Sequence, residues 1–260
     1  MKQKTIDAHN IIQQISDVLL MNGGFLNNPG LYKGEMGLVL FFTRYARFTK
    51  NDVYADYAYY LIQKIQNLIN RDTPINYKNG LAGVGSAIEY LAQNGFLEAD
   101  TDEILEDFDK KLFYTYNISN LSLDNILDIG YYTLWRMSGN SSQKNMMRHT
   151  VLPSILDVMR TQCISKDIVI FEKITNLQDN FIISEWYKLC LKKIPNGYWE
   201  HACSHYLEHI EKGKNNNHIG LQDGLTGCGI SLLTKLDGDD SWISLLPNNF
   251  YPINYEPISI

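Results

Sequence analysis

Glycines recur in this chain at a nearly constant interval, and a recurrence of that kind limits the fold more than any other feature of the sequence. Gly30-Leu31-Tyr32-Lys33-Gly34-Glu35-Met36-Gly37 and Gly220-Leu221-Gln222-Asp223-Gly224-Leu225-Thr226-Gly227 share the pattern GLxxGxxG, and each runs on into an apolar stretch. A third copy, Asn76-Tyr77-Lys78-Asn79-Gly80-Leu81-Ala82-Gly83, keeps the glycine pair. After it, Val84, Ala87, Ile88 and Leu91 follow the i, i+3, i+4, i+7 spacing of one helix face. A fainter fourth copy, Leu127-Asp128-Ile129-Gly130, keeps only the second glycine of the core. The cores begin at residues 34, 80, 127 and 224, with separations of 46, 47 and 97. The last separation is about two periods, so an eroded copy is expected near residues 170–180.

A period of about 47 residues accommodates two helices and two connections, so each unit reads as an αα-hairpin whose inner helix starts at the glycines. Between the copies lie more charged helical patterns: Val53 to Ile69, Asp102 to Tyr116, roughly Gln143 to Thr161, and Trp199 to Ile210. These are expected to be outer helices, and Asp100-Thr101-Asp102 supplies N-cap residues for the second of them. The stretch 167–174, DIVIFEKI, is β-branched and ambiguous. The first glycine of each pair is expected at positive φ, turning the chain into the helix, and the second lets neighbouring backbones approach. Stacked round an axis, such hairpins form an all-α fold, an α/α toroid, complete or incomplete. Its glycine-rich helix starts would share one end, where their dipoles favour an anion or a thiolate. A nucleotide-binding loop is disfavoured, because a dinucleotide fingerprint needs a preceding strand and a P-loop needs Gly-Lys-Ser/Thr.

Composition narrows the partners. The 260 residues carry a net charge of −6, and the Lys and Arg residues are dispersed, which argues against nucleic acid and against an anionic membrane surface. The N-terminal segment mixes Asp7, His9, Asn10, Gln13 and Gln14 into its apolar positions and so lacks a signal-peptide core. No window has the roughly 18 apolar residues of a membrane span. Cys163, Cys190, Cys203 and Cys228 form no CxxC pair, which fits reduced thiols in a cytoplasmic protein. One domain over residues 1–260 is expected.

The stretches NGLAGVGSAIEYLAQNGFLE, GLYKGEMGLVLFF and GLQDGLTGCGISLL resemble the glycine-rich repeats of the lanthionine synthetase C-like family, the lantibiotic cyclases. The resemblance implies an α/α toroid and a zinc ion that activates a peptide cysteine for addition to a dehydrated serine or threonine. In the family the zinc is held by a Trp-Cys-x-Gly element and by an adjacent Cys-His pair. Neither string occurs here: Ile164, Leu191, Ser204 and Gly229 follow the four cysteines. The chain also holds roughly five to six units of the repeat length, fewer than the seven with which the family closes its ring. A shortened member is the expected identity.

Several residues could carry chemistry. His201, His205 and His209 share one face of a helix, a spacing by which two imidazoles can grip zinc, while Cys203 would point to the opposite side. Ala202 stands where the zinc-protease motif needs glutamate, so a polar histidine face is the preferred reading. Cys228 lies at the glycine-rich start of the last inner helix, where a thiolate would be favoured. Val84 occupies the matching place in another copy, so a small buried residue is preferred there. Asp124 and Asp128 flank the weak copy, where the resembled cyclases place an acidic residue, and an N-cap role explains either. Tyr54, Tyr57, Tyr59 and Tyr60 read as helix packing or as a peptide-binding surface.

No catalytic, cofactor or metal residue is assigned on this basis, and zinc enters only through the resemblance. The expected role is maturation of a ribosomally made peptide, by thioether cyclisation or by binding the precursor or a partner modifying enzyme. Two alternatives are a carbohydrate-active α/α toroid using Glu35 and Asp223 as paired carboxylates, and a non-catalytic scaffold.

Overall fold

The apolar runs behind the glycines all form helices. The computed structural model describes residues 8–115, 121–161 and 219–246 other than 223. Among these residues every regular element is helical. The order is α1 (Ala8–Gly23), α2 (Glu35–Thr49), α3 (Asp52–Leu68), α4 (Leu81–Gln93), the short α5 (Thr101–Ile104) and α6 (Glu106–Asp109), and a π-helical segment Lys110–Thr115. Then follow α7 (Leu123–Ser138), the short α8 (Lys144–Met146), a second π-helical segment Met147–Val151, α9 (Leu152–Thr161), α10 (Leu225–Asp237) and a 3-10 turn Ser241–Leu245. The expected all-α class is what the described residues show. The copy near 170–180, the stretch 167–174 and the helix Trp199–Ile210 lie outside the described residues.

Burial separates inner from outer helices. In α2, α4 and α10 almost every residue of the first two turns and beyond is buried, whichever way it points. An apolar helix buried all round must be enclosed by others. By contrast, α3 buries only Tyr54, Ala58, Leu61 and Ile65, a single stripe at helical spacing, and α9 only Leu152, Ile155, Leu156 and Met159. These one-sided helices are the outer members of the hairpins.

The chain gathers into two compact units, residues 1–70, 194–240 and 249–260 in the first and 71–193 and 241–248 in the second. In the first, α2 packs against α3 and α10, and α10 against α1. The first and last glycine copies are therefore neighbours. The Tyr32 carbonyl accepts hydrogen bonds from the Leu221 and Gln222 amides at 2.7 and 3.1 Å. Gly37 lies where a Cβ would meet Leu221 Cβ at 3.1 Å, so the second glycine of the core does permit the expected close approach. In the second unit α4 packs against α7, α7 against α9, and the 3-10 turn against α4. Gly85 permits that α4–α7 contact, since a Cβ there would press to 2.5 Å from the Tyr132 ring.

The expected role of the first glycine needs correction. Gly34, Gly80 and Gly224 are N-caps with φ of −124, −129 and −146°, extended rather than left-handed. What demands glycine at two of these positions is space. A Cβ on Gly34 would fall on the Asn28 carbonyl oxygen, and one on Gly80 on the Pro74 carbonyl oxygen. The chain folds back so tightly that the first amides of each inner helix donate to carbonyls of their own approach loop. Glu35 N–H reaches Asn28 O at 2.8 Å, Leu81 N–H reaches Pro74 O at 2.9 Å, and Thr226 N–H reaches Ile219 O at 3.3 Å. The amide donors expected to serve an anion or thiolate are thus partly consumed by the loops themselves.

Three further expectations are adjusted. The weak copy does not start a helix: α7 begins at Leu123 behind the N-cap Ser122, whose side chain accepts from the Asn125 amide, so Leu127 and Gly130 lie inside the helix. With no glycine to permit the fold-back, a serine supplies the cap. The helix expected over 102–116 is broken at Leu105 and becomes π-helical from Lys110, although Asp100 caps its start by accepting from the Asp102 amide. The helix expected over 143–161 likewise passes through a π-helical segment.

Candidate functional site

Asp128 stands beside the approach loop of α4. Because α7 starts ahead of the weak glycine copy, Asp124 falls in its exposed first turn and Asp128 one turn later, half-buried on the same side. There the Asp128 carboxylate accepts a hydrogen bond from the Tyr77 backbone amide, and the Tyr77 ring meets the Tyr131 ring of α7 edge-on at 5.9 Å. Burial pushes the Asp128 carboxyl up to about 6, and the neighbouring Asp124 charge adds to the rise; the Tyr77 amide and the exposed Lys78 pull the other way. A half-buried carboxyl with that value exchanges a proton close to neutral pH, which is what general acid–base chemistry requires.

A second cluster holds α7 in place. Arg136, fully buried, is ringed by Glu89 of α4 at 2.5 Å, Asp102 of α5 at 2.6 Å and Asp109 of α6 at 2.7 Å. The Tyr132 hydroxyl donates to Asp109 at 2.6 Å. Glu89 and Asp109 are each 1% exposed and Asp102 29%. The break at Leu105 puts Asp102 and Asp109 on separate short helices that both reach the one guanidinium. Burial raises the Glu89 carboxyl above its ordinary value, against the pull of Arg136. The sequence holds a signal for this cluster, namely Glu89 and Arg136 inside the apolar runs EYLAQ and LWRM, which carry charges at positions an inner helix buries. The pattern of glycines gave no reason to join them.

The other candidates fall out as follows. Cys228, in the first turn of α10, is 2% exposed and in no disulfide, and Val84 at the matching place is buried as well, in keeping with a small packed residue. Glu35 is 0% exposed at the start of α2, 2.6 Å from the Lys64 ammonium of α3. A carboxylate so enclosed cannot meet a sugar, and its suggested partner Asp223 lies outside the described residues. Tyr54 is buried against Phe42 and Tyr45, and Tyr57 packs edge-on against Phe42, so these two are packing residues. Tyr59 and Tyr60 are exposed. His201, Cys203, His205 and His209 lie outside the described residues. Among the described residues no group of three or more His, Cys, Asp or Glu is placed to hold a metal ion, and no helix is long and apolar enough to cross a membrane.

A family model described as lanthionine synthetase C-like protein matches residues 26–115. No curated protein and no solved structure matches the chain. The matched segment covers about a third of the sequence and contains α2, α3 and α4 with the glycine copies at Gly34 and Gly80. Repeat, helical class and family model agree over that stretch, and residues 26–115 are similar to the lanthionine synthetase C-like family.

Proposed function

We propose that this protein takes part in thioether maturation of a ribosomally made peptide, with residues 1–260 working as one domain of α/α toroid type and Asp128 as the proton-transferring group. The observation that carries the reading is the half-buried Asp128 carboxyl beside the α4 glycine loop, with its value near 6, in a chain whose matched segment is lanthionine synthetase C-like. The reaction is an addition. A cysteine sulfur bonds to the β-carbon of a dehydrated serine or threonine, the carbon–carbon double bond is consumed, and the α-carbon gains a proton. The thiol proton passes to the Asp128 carboxylate, and the resulting acid returns a proton to the α-carbon, so nothing is oxidised and nothing leaves. In the family a zinc ion supplies thiolate activation; the described residues offer no ligand set for it, and no step here is routed through a metal.

The test is to incubate the purified protein with a dehydrated cysteine-containing peptide and count alkylatable thiols by mass spectrometry, because cyclisation itself leaves the mass unchanged. Loss of thiols with the parent, and a rate lower by roughly 10²–10⁴-fold with Asp128→Asn, is the expected result. A peptide that binds, by calorimetry, yet keeps its thiols would turn the reading to precursor binding. Neither binding nor turnover would remove it.

A further inference from the structure

Lys64 and Lys111 do the same task one repeat apart. The Lys64 ammonium donates to the Gly24 and Leu26 carbonyls at 2.8 and 2.5 Å, and the Lys111 ammonium donates to the Arg71 and Thr73 carbonyls at 2.7 and 2.8 Å. In both cases the lysine lies 40 and 38 residues beyond its acceptors. Each therefore pins, from its own outer helical segment, the approach loop of its own inner helix. The copies differ at the residue that follows the N-cap glycine. Copy one has Glu35, while the corresponding residues in the two other strong copies are Leu81 and Leu225, both buried. Holding the loop does not need a carboxylate, since Lys111 manages without one at that position. Yet Glu35 is completely enclosed, and its charged neighbour among the described residues is the Lys64 ammonium, 2.6 Å from Oε1. Among the described residues no backbone amide or hydroxyl donates to either carboxylate oxygen. An ionised carboxylate in that state exchanges its hydration for one ammonium contact, an incomplete replacement that favours either protonation or opening to water.

We propose that Glu35 and Lys64 form a proton-operated latch on residues 24–34: the loop closes over the neutral carboxyl and loosens as the carboxyl ionises, whereas the same lysine clamp on Arg71 and Thr73 has no carboxyl beside it at the matching position. Burial raises the Glu35 carboxyl above its ordinary 4.5, and Lys64 only partly offsets this. Among the described residues the titratable groups that reach it are Lys64 and Tyr57, both on α3, with Tyr60 behind Tyr57. The charged groups of the other packed helices lie toward the far end of α2: Asp17 of α1 acts on Tyr45, and Asp237 of α10 pairs with Arg44. Lys33 and Lys235 are exposed. A closed state that raises a carboxyl is fully favoured below the ordinary value. It loses that advantage as pH rises through the raised one, by up to about tenfold per pH unit between the two.

Hydrogen–deuterium exchange of the whole protein, corrected for the intrinsic rate at each pH, tests this. The expected result is that protection of 24–34 falls with rising pH over that window, while in an Asp128→Asn protein, which lacks the titrating carboxyl that accepts from the Tyr77 amide, protection of 71–80 stays flat. Glu35→Gln and Glu35→Leu, the second taken from the other copies, should hold 24–34 protected throughout. A flat parent profile at 24–34 overturns the proposal, as does a pH dependence that survives in either Glu35 variant or that 71–80 shares in the Asp128→Asn protein.

Discussion

The Leu81 amide donates to the Pro74 carbonyl at 2.9 Å, across the spot where any side chain on Gly80 would stand. The same crossing recurs at Glu35 and Asn28 over Gly34. The repeat's glycines are thus the consequence of a backbone hydrogen bond: the loop caps its own helix, and only a residue without a side chain lets the two strands of chain meet.

Gly80→Ala should therefore cost about 1–3 kcal/mol, because the backbone must give way where no flexible side chain can. Gly24→Ala, where an added Cβ meets nothing within 4 Å, should stay within about 0.5 kcal/mol. Urea unfolding of both variants checks the contrast, and equal costs would contradict the fold-back as the reason for the glycine.

Replacing Arg136 should be among the most damaging single changes in the second unit. Arg136→Met leaves Glu89 and Asp109 buried with no counter-charge, an arrangement that costs about 3–5 kcal/mol when a buried pair loses one member. Asp102→Asn should cost far less, because Asp102 is 29% exposed and partly exposed pairs contribute about 0–1 kcal/mol. Chemical denaturation at neutral pH compares the two directly.

How much of this could be read from the sequence depends on which interactions are local. The inner helices were legible because Val84, Ala87, Ile88 and Leu91 repeat at helical spacing behind a glycine pair, and α3 was placed within a residue at each end. The conformation of the glycines was not legible: a glycine marks either positive φ or crowding, and the choice depends on where Asn28 and Pro74 put their carbonyls. The break in the helix expected over 102–116 escaped for the same reason, since Asp102 and Asp109 are drawn to Arg136, a residue 34 and 27 positions away. Asp128 is conspicuous in the sequence but its environment is not, because the Tyr77 amide that meets it comes from a loop 51 residues earlier in the chain.

Low pH should expose the role of Asp102. Burial works against its ionised form, yet hydrogen bonds from Ser142 and Arg136 prevail and hold it down to about 2. The sign follows from the direction: a lowered carboxyl contributes stability that is present above its ordinary value of 3.8 and lost as pH falls through about 2. The difference in stability between the parent and Asp102→Asn should accordingly shrink from pH 4 downward, to near zero at about pH 1. A difference that holds constant to that pH would show that the Ser142 and Arg136 contacts do not favour the charged form.

Asp128 should behave in the opposite sense. Its value of about 6 lies above the ordinary 3.8, so its contribution to stability is complete below the ordinary value and is lost as pH rises through about 6. Burial is the leading cause and cannot be removed by a point change nearby, but the two charges can. Asp124→Asn should lower the Asp128 value and Lys78→Met should raise it, each by less than the rise that burial produces. Carboxyl-detected NMR titration of the three proteins, with Asp128→Asn to assign the resonance, reads these shifts. If Asp128 titrates near 3.8 in the parent, the group cannot exchange a proton near neutral pH, and the chemistry assigned to it would have to come from elsewhere in the chain.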